Sequence, residues 1–245
     1  MDLDEFYSRH ERVALMFSGG RDSIACLHLI EPYLDRTLVI WVNTQANFPE
    51  IESLMEGVRA LVPRFLEVVS DQPASIAANG YPSDVVPTSF TAWGQQATAP
   101  KDIRIRSLFE CCAENLWYPA AEAIKELGVT GVIRGQRRDE AIRGVIESGH
   151  VFEDVEYLFP IQEWSAEDVL AYLKEKDVVI DDRLSMAHSS LDCWNCTAFC
   201  NSSLERANYV KQKHPEKFEQ VVKIIKQIDN AISSDRAGLR KILEI

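Results

Sequence analysis

The chain has 245 residues, 46% of them hydrophobic, and a formal net charge of −12. That length can bury a full core, expected as one α/β domain with an appendage, and so acidic a balance argues against a free-standing, tight nucleic-acid binder. No uninterrupted apolar stretch reaches membrane length, and the opening Met1-Asp2-Leu3-Asp4-Glu5 lacks the basic, apolar order of a signal peptide, so a cytoplasmic protein with no membrane partner is expected.

Residues 2–11 read as a short polar helix. The apolar run Val13-Ala14-Leu15-Met16-Phe17 suits a buried parallel strand. It breaks at Ser18-Gly19-Gly20 and resumes as a helical pattern in Ile24, Leu27 and Ile30, over about 22–34, with Pro32 near its end. Two adjacent glycines let the backbone turn sharply and approach a ligand. Ser18 and Ser23 add hydroxyls, and the new helix aims free N–H groups at the turn, which makes an anion site whose usual guest is phosphate. The spacing is not the Walker form, and the dinucleotide fingerprint would need a third glycine.

The stretch resembles the SGGxDS pyrophosphate loop of the PP-loop ATP pyrophosphatases, a group that includes sulfonucleotide reductases and sulfur-transfer enzymes; Ser18, Gly19, Gly20, Asp22 and Ser23 all match. The resemblance implies that residues 18–23, Arg21 included, hold the β,γ-phosphates of ATP, with Asp22 helping to hold Mg2+ and Asp22 and Ser23 serving catalysis. It also implies an α/β fold: an open, mostly parallel twisted sheet with helices on both faces, adenine nucleotide α-hydrolase-like, plus a small helical C-terminal region containing cysteines. The expected division is a nucleotide-binding domain over 1–180, with Cys111-Cys112 inside it, and a cluster-completing segment and helical tail over 181–245.

Leu38-Val39-Ile40-Trp41-Val42 reads as a second core strand, stopping at Asn43-Thr44-Gln45 before Phe48-Pro49-Glu50-Ile51. Strand ends of this kind line the ligand crevice of open parallel sheets. The resembling family reads roughly VDTGxxFPE here. Asn43 replaces the acid and Gln45 the glycine, so the nucleoside contacts implied for Asn43 differ in detail. Residues 50–62 form an amphipathic helix and 65–69 a strand. Between 70 and 99 the composition is that of a loop, punctuated by Pro73, Gly80, Pro82, Pro87 and Gly94. Loops this long are more often functional than idle, and packing is the commoner role for its Trp93.

A helix over 113–127 ends at Gly128, and a strand over 131–134 leads into Gly135-Gln136-Arg137-Arg138-Asp139. Guanidinium forks suit bidentate oxyanion recognition. The segment resembles the family's GxRxD-type stretch, which implies that Gly135, Arg137 and Arg138 meet the nucleotide. Ser165, followed by Asp168 and Val169, looks like a helix N-cap. Pro160, Trp164, Asp168 and Val169 also match a family segment. The tail from about residue 204 is a lysine-rich amphipathic helix with Tyr209, Phe218, Val222 and Ile225 on one face.

Six cysteines in a cytoplasmic chain point to metal or redox chemistry before disulfides. Cys111-Cys112 and Cys193-Trp194-Asn195-Cys196 supply four thiolates able to converge on tetrahedral zinc or an iron–sulfur cluster, and spacing alone leaves zinc open. The CC…CxxC order resembles the [4Fe–4S] pattern of adenylylsulfate reductases and DNA-phosphorothioation PP-loop proteins, which implies that Cys111, Cys112, Cys193 and Cys196 ligate such a cluster. Two departures stand out. The reductases carry a basic pair where this chain has Asn115 and Leu116, and removing a cation beside a cluster shifts its potential. They also carry a nucleophilic cysteine in a C-terminal motif, whereas no cysteine follows Cys200 in this sequence. Since the thiolate is the species that attacks sulfur, a conventional reductase cycle lacks its central residue. Cys200 is weighed evenly between a persulfide carrier and a structural thiol; Cys26 reads as a small apolar core residue.

A complete SGGxDS loop favours cleaving ATP between the α and β phosphates, with magnesium and Arg137 and Arg138 neutralising charge. The expected function is an ATP pyrophosphatase that adenylylates a substrate oxygen for iron–sulfur-assisted sulfur transfer in DNA phosphorothioation. A cysteine desulfurase is the implied sulfur donor and DNA, or a DNA-bound partner protein, the acceptor; a homo-oligomer is left open. The rivals are a thiol-dependent adenylylsulfate or phosphoadenylylsulfate reductase and a non-catalytic nucleotide-binding sensor with a structural cluster.

Overall fold

In a computed structural model, which describes residues 2–140, 146–186, 191–198 and 204–243, the first elements are α1 (Leu3–Arg9), β1 (Val13–Met16), α2 (Arg21–Leu29), β2 (Thr37–Asn43), α3 (Pro49–Leu61), β3 (Phe65–Val69), α4 (Gln72–Asn79), β4 (Tyr81–Ser83), α5 (Ala92–Ala97) and β5 (Ile105–Ser107). There follow α6 (Leu108–Cys112), α7 (Tyr118–Glu126), β6 (Gly131–Ile133), β7 (His150–Phe152), β8 (Val155–Leu158), α8 (Ala166–Glu175), α9 (Asp182–Met186), α10 (Glu205–Lys213) and α11 (Pro215–Leu243). The chain divides into two compact units, each discontinuous in sequence.

The first unit comprises Met1–Asn43, Asn47–Val69 and Pro119–Asp192. Its sheet runs β3-β2-β1-β6-β8-β7, parallel throughout except for β7, which turns back antiparallel along β8. Leu15 of β1 lies opposite Val39 on one side and Ile133 on the other. Successive strand residues face opposite ways. Ala14, Ile40 and Val132 pack with Ile124 of α7 and Val129, while Leu15, Val39 and Ile133 point to the other face and are equally buried. Both faces are covered, which explains why these strands read as unbroken apolar runs. The α2 and α3 crossovers step the chain from β1 to β3 in one direction; it then returns to β6 on the far side of β1. Strand order therefore reverses between β1 and β6, where ligands bind beyond the carboxyl ends of such sheets.

Two local details refine the expected elements. α1 is not wholly polar: it buries Phe6 and Tyr7, and the Tyr7 hydroxyl shares a 2.6 Å hydrogen bond with Thr37. α8 is N-capped by Ser165 as the sequence indicates, with a reciprocal capping box between Ser165 and Asp168.

The second unit comprises Thr44–Ala46, Ser70–Tyr118 and Cys193–Ile245. This division differs from a 1–180/181–245 split: residues 70–118, with Cys111-Cys112, belong with the C-terminal part. The physical link is apolar, since Ile103 and Ile105 share a buried cluster with Ile228 and Ala231 of α11. The segment expected as loop over 70–99 is instead structured. Asp71 Oδ1 accepts from the Ala74 N–H at 2.9 Å and Pro73 sits in the first turn of α4, and β4 then pairs in parallel with β5. Trp93 does not pack; it lies on α5 with 80% of its surface exposed. The packed side of α11 carries Val221, Ile224, Ile228 and Ala231, displaced around the helix from the face drawn through Phe218, Val222 and Ile225. No helix among the described residues is long and apolar enough to cross a membrane.

Candidate functional site

In the first unit, the Phe17 N–H still donates to the Ile40 carbonyl at 2.8 Å, so the chain leaves the sheet at Ser18. Gly19 adopts φ +74°, and a Cβ there would stand 2.8 Å from Leu54 Cδ2 and 3.1 Å from Met55 Cε. Conformation and the packing of α3 both call for glycine. Gly20 caps α2; Ser23 Oγ donates to its carbonyl at 2.9 Å, and the Ser18 and Ser23 hydroxyls lie 3.4 Å apart. The first-turn N–H groups of α2 have no intrahelical acceptor and carry the positive end of the helix dipole. Gly135, just past β6, closes the other side. A Cβ on it would lie 2.7 Å from the Asp22 carbonyl carbon and 2.9 Å from the Ser23 nitrogen, so the two strand-end loops meet backbone to backbone.

Arginines gather on this turn. Arg137, only 4% exposed, makes an ion pair through Nη1 with Asp22 and donates through Nε to Asp139 at 2.9 Å. Burial pushes the Asp22 carboxyl above its usual range, against the opposing pull of Arg137 and Arg21. Glu140 is raised as well, by burial and then by the charge of Asp22. Arg21 is 3% exposed, and its Nε and Nη1 are buried without a hydrogen-bond partner among the described residues. Arg183 of α9, also buried, donates to the Gly19 carbonyl. A buried cation with open donors beside a glycine turn is complementary to a polyphosphate.

The structure thus brings Ser18, Gly19, Gly20, Arg21, Asp22, Ser23, Gly135 and Arg137 together. Arg138 is held elsewhere, by Glu147 and Glu163 at 2.6 Å each. Asn43 stands at the carboxyl end of β2 within its own network, donating to Glu67 and accepting from Asn47, each at 2.6 Å. Arg183 was not singled out from the sequence: in Asp181-Asp182-Arg183 it reads as a solvated charge, and only its return to Gly19 gives it a role.

In the second unit, Cys111 and Cys112 end α6, whose start is fixed by a capping box between Ser107 and Glu110, and a π-helical turn over Ala113–Trp117 follows. Cys193 and Cys196 are buried with Ala46 and Ala198, against Leu108 and Trp194. The Cys196 N–H donates to the Cys193 carbonyl at 3.2 Å and the Trp194 N–H to the Ala46 carbonyl at 2.9 Å, which fixes the C-x-x-C turn. Arg106 Nη2 lies 3.1 Å from Cys111 Sγ. Burial pushes the Cys111 thiol up; Arg106 lowers it and Cys196 raises it, so Cys111 and Cys196 lie within each other's field.

Cys26, Cys111, Cys112, Cys193 and Cys196 are joined by no disulfide to one another. Among the described residues no three His, Cys, Asp or Glu side chains stand gathered as ligands of one metal ion. The chemistry of the cysteine set, four soft sulfur donors in one unit, fits an iron–sulfur cluster or zinc. Cys200 lies outside the described residues. Cys26 is fully buried in α2, and burial raises its thiol strongly, consistent with a core residue.

A mostly parallel sheet with a glycine turn and clustered arginines at its switch point defines an α/β protein with a candidate polyphosphate site. The chain belongs to the phosphoadenosine phosphosulfate reductase domain family, which matches residues 12–199. It is 22% identical to the adenosine 5'-phosphosulfate reductase of Bacillus cytotoxicus over 190 residues, 77% of this chain and 74% of that protein. It is 25% identical to the adenosine 5'-phosphosulfate reductase of Deinococcus radiodurans over 163 residues, 65% of this chain and 56% of that protein. Among solved structures, the phosphoadenylyl-sulfate reductase from Candida auris in phosphate complex gives a TM-score of 0.49 at 22% identity, covering 75% of this chain and 81% of that one. The U34-tRNA thiolase NcsA from Methanococcus maripaludis, with its [4Fe-4S] cluster, gives 0.44 at 12% identity, covering 89% and 71%.

Proposed function

We propose that this chain is a PP-loop ATP pyrophosphatase that adenylylates a substrate oxygen and so prepares it for sulfur transfer, with DNA phosphorothioation as the setting. The observation that supports this most is the complete Ser18-Gly19-Gly20-Arg21-Asp22-Ser23 turn, with Arg137 on Asp22 and the open donors of Arg21 beside it. ATP lays its β,γ-pyrophosphate on the N–H groups and hydroxyls of this turn. Asp22 would hold magnesium, which would supply charge neutralisation when bound. The substrate oxygen forms a bond to the α-phosphorus as the bond to the β-phosphate oxygen breaks. Pyrophosphate leaves with the electron pair, its charge met by Arg21 and Arg137. The terminal sulfur of a persulfide then attacks the substrate phosphorus that carries the adenylylated oxygen. The bond from that phosphorus to the oxygen breaks, the oxygen leaves with AMP, and a second thiol cleaves the remaining sulfur–sulfur bond, releasing the phosphorothioate and forming a disulfide. Cys111, Cys112, Cys193 and Cys196 would hold a [4Fe–4S] cluster, which supplies labile sulfide or an electron when bound.

In this reading a cysteine desulfurase supplies the sulfur, DNA or a DNA-bound partner protein presents the acceptor, and the protein works in the cytoplasm, as a monomer or a homo-oligomer. The test is product analysis after incubation with ATP, magnesium, cysteine, a desulfurase and DNA. AMP, pyrophosphate and a phosphorothioate linkage are the expected products. The likeness to two adenosine 5'-phosphosulfate reductases favours a second reading, in which the same turn binds a sulfonucleotide; sulfite released from adenylylsulfate with an added thiol would establish it. Neither set of products would leave a nucleotide sensor.

A further inference from the structure

Arg106 lies on β5 and is 6% exposed. Its Nη2 donates to Ser75 Oγ at 2.6 Å and to Cys111 Sγ at 3.1 Å, and its Nη1 makes an ion pair with Glu114. A second donor reaches the same sulfur: Asn115 Nδ2, at 3.8 Å from Cys111 Sγ, is fixed by the Cys111 carbonyl at 2.9 Å and by Ser75 Oγ at 3.0 Å. Sulfur in a neutral thiol is a weak acceptor and carries its own hydrogen. Two oriented N–H donors, one of them cationic, are matched to a sulfur bearing negative charge, as a metal-bound thiolate does. Glu114 does not cancel that cation fully, because its side chain is 46% exposed and water screens it. Positions 115 and 116, where the resembling pattern carries a basic pair, hold Asn115 and Leu116.

We propose that Arg106 is the positioning residue for the Cys111 sulfur and supplies, from β5, the cationic charge that sets the reduction potential of an iron–sulfur cluster on this cysteine set. The proposal rests on the reading that Cys111, Cys112, Cys193 and Cys196 hold such a cluster. Hydrogen bonds and charge at ligand sulfurs are a principal lever on cluster potential. A cation favours the more negative, reduced form, so removing it lowers the potential and removing its counter-anion raises it.

The experiment is potentiometric titration of the full chain, reconstituted anaerobically with iron and sulfide, as wild type, Arg106→Gln and Glu114→Gln. In Arg106→Gln the ratio of reduced to oxidised cluster at a fixed poise is expected to fall at least about tenfold, equivalent to about 59 mV for one electron. In Glu114→Gln the ratio is expected to rise. A purely structural role for Arg106 gives no reason for these opposite signs. If Arg106→Gln fails to fold or to load iron, the half-exposed Glu114 site decides alone, by the sign of its shift. Loaded variants whose ratios stay within about threefold of wild type, or a Glu114→Gln shift downward, would overturn the proposal while leaving the cluster reading intact. A wild-type chain that binds no iron would overturn the cluster reading and the proposal with it.

Discussion

Arg137 sets its Nη1 on the carboxylate of Asp22, joining the loop after β6 to the first turn of α2 across 115 residues of sequence. The pair lies at the switch point of the sheet and is withdrawn from water, so both groups stand ready for a ligand that brings its own charge. Arg137 has a second acceptor in Asp139, which lets it keep a partner if Asp22 turns to a cation.

The buried state of Asp22 gives a pH signature. Its carboxyl is raised by burial, so the folded chain takes up that proton at a higher pH than the unfolded chain does. The resulting contribution to stability is fully present below the ordinary carboxylate pKa and is lost as pH rises through the raised value. Asp22→Asn removes it. In urea unfolding between about pH 7 and about pH 4, the stability difference between wild type and Asp22→Asn is expected to move in favour of wild type on acidification. A flat or opposite trend would mean that the ion pair with Arg137 outweighs burial.

Gly135 offers a sharper steric test. An added Cβ meets backbone atoms of Asp22 and Ser23 at 2.7–2.9 Å, and a helix first turn cannot yield as a flexible side chain can. Gly135→Ala is expected to cost about 1–3 kcal/mol of stability by overpacking, read from the urea midpoint. If the proposed reading holds, it should also weaken ATP binding, measured by calorimetry, because the displaced atoms belong to the turn on which that reading lays the phosphates. Unchanged stability and affinity would show that the two loops separate freely.

Gln45 occupies φ +59°, a left-handed conformation, at the position where the resembling pattern carries glycine. Non-glycine residues in that region are strained by about 1 kcal/mol or more. Gln45→Gly relieves that strain but gives back about 0.4–1 kcal/mol in unfolded-chain entropy, so a net gain of at most about 1 kcal/mol is expected, checked by denaturant unfolding. A loss would mean that the Gln45 side chain contributes more than its backbone strain removes.

The glycine turn after β1 was legible because its signal is contiguous: an apolar run, two glycines and the start of an amphipathic helix fall within residues 13–30. Arg137 was legible from its place at a strand's carboxyl end. Arg183 was not, since its role depends on the chain returning to Gly19 from 164 residues away. α4 was hidden by its own punctuation. Pro73 belongs to its first turn and Gly80 ends it, so residues that suggest a loop bound a short helix with Ile76 as its one long apolar side chain. In sequence Arg106 is no more than a charge five residues ahead of the cysteine pair. What makes it a partner of Cys111 is the burial of β5 and the turn into α6, which no local pattern announces.

The most direct test of the central claim is the product balance when the purified chain meets ATP and magnesium with an adenylylation acceptor. Pyrophosphate is expected in an amount equal to the adenylylated acceptor plus any AMP later released from it, with Asp22→Ala at least about a hundredfold slower. Release of ADP and phosphate, or pyrophosphate release undiminished in Asp22→Ala, would contradict it.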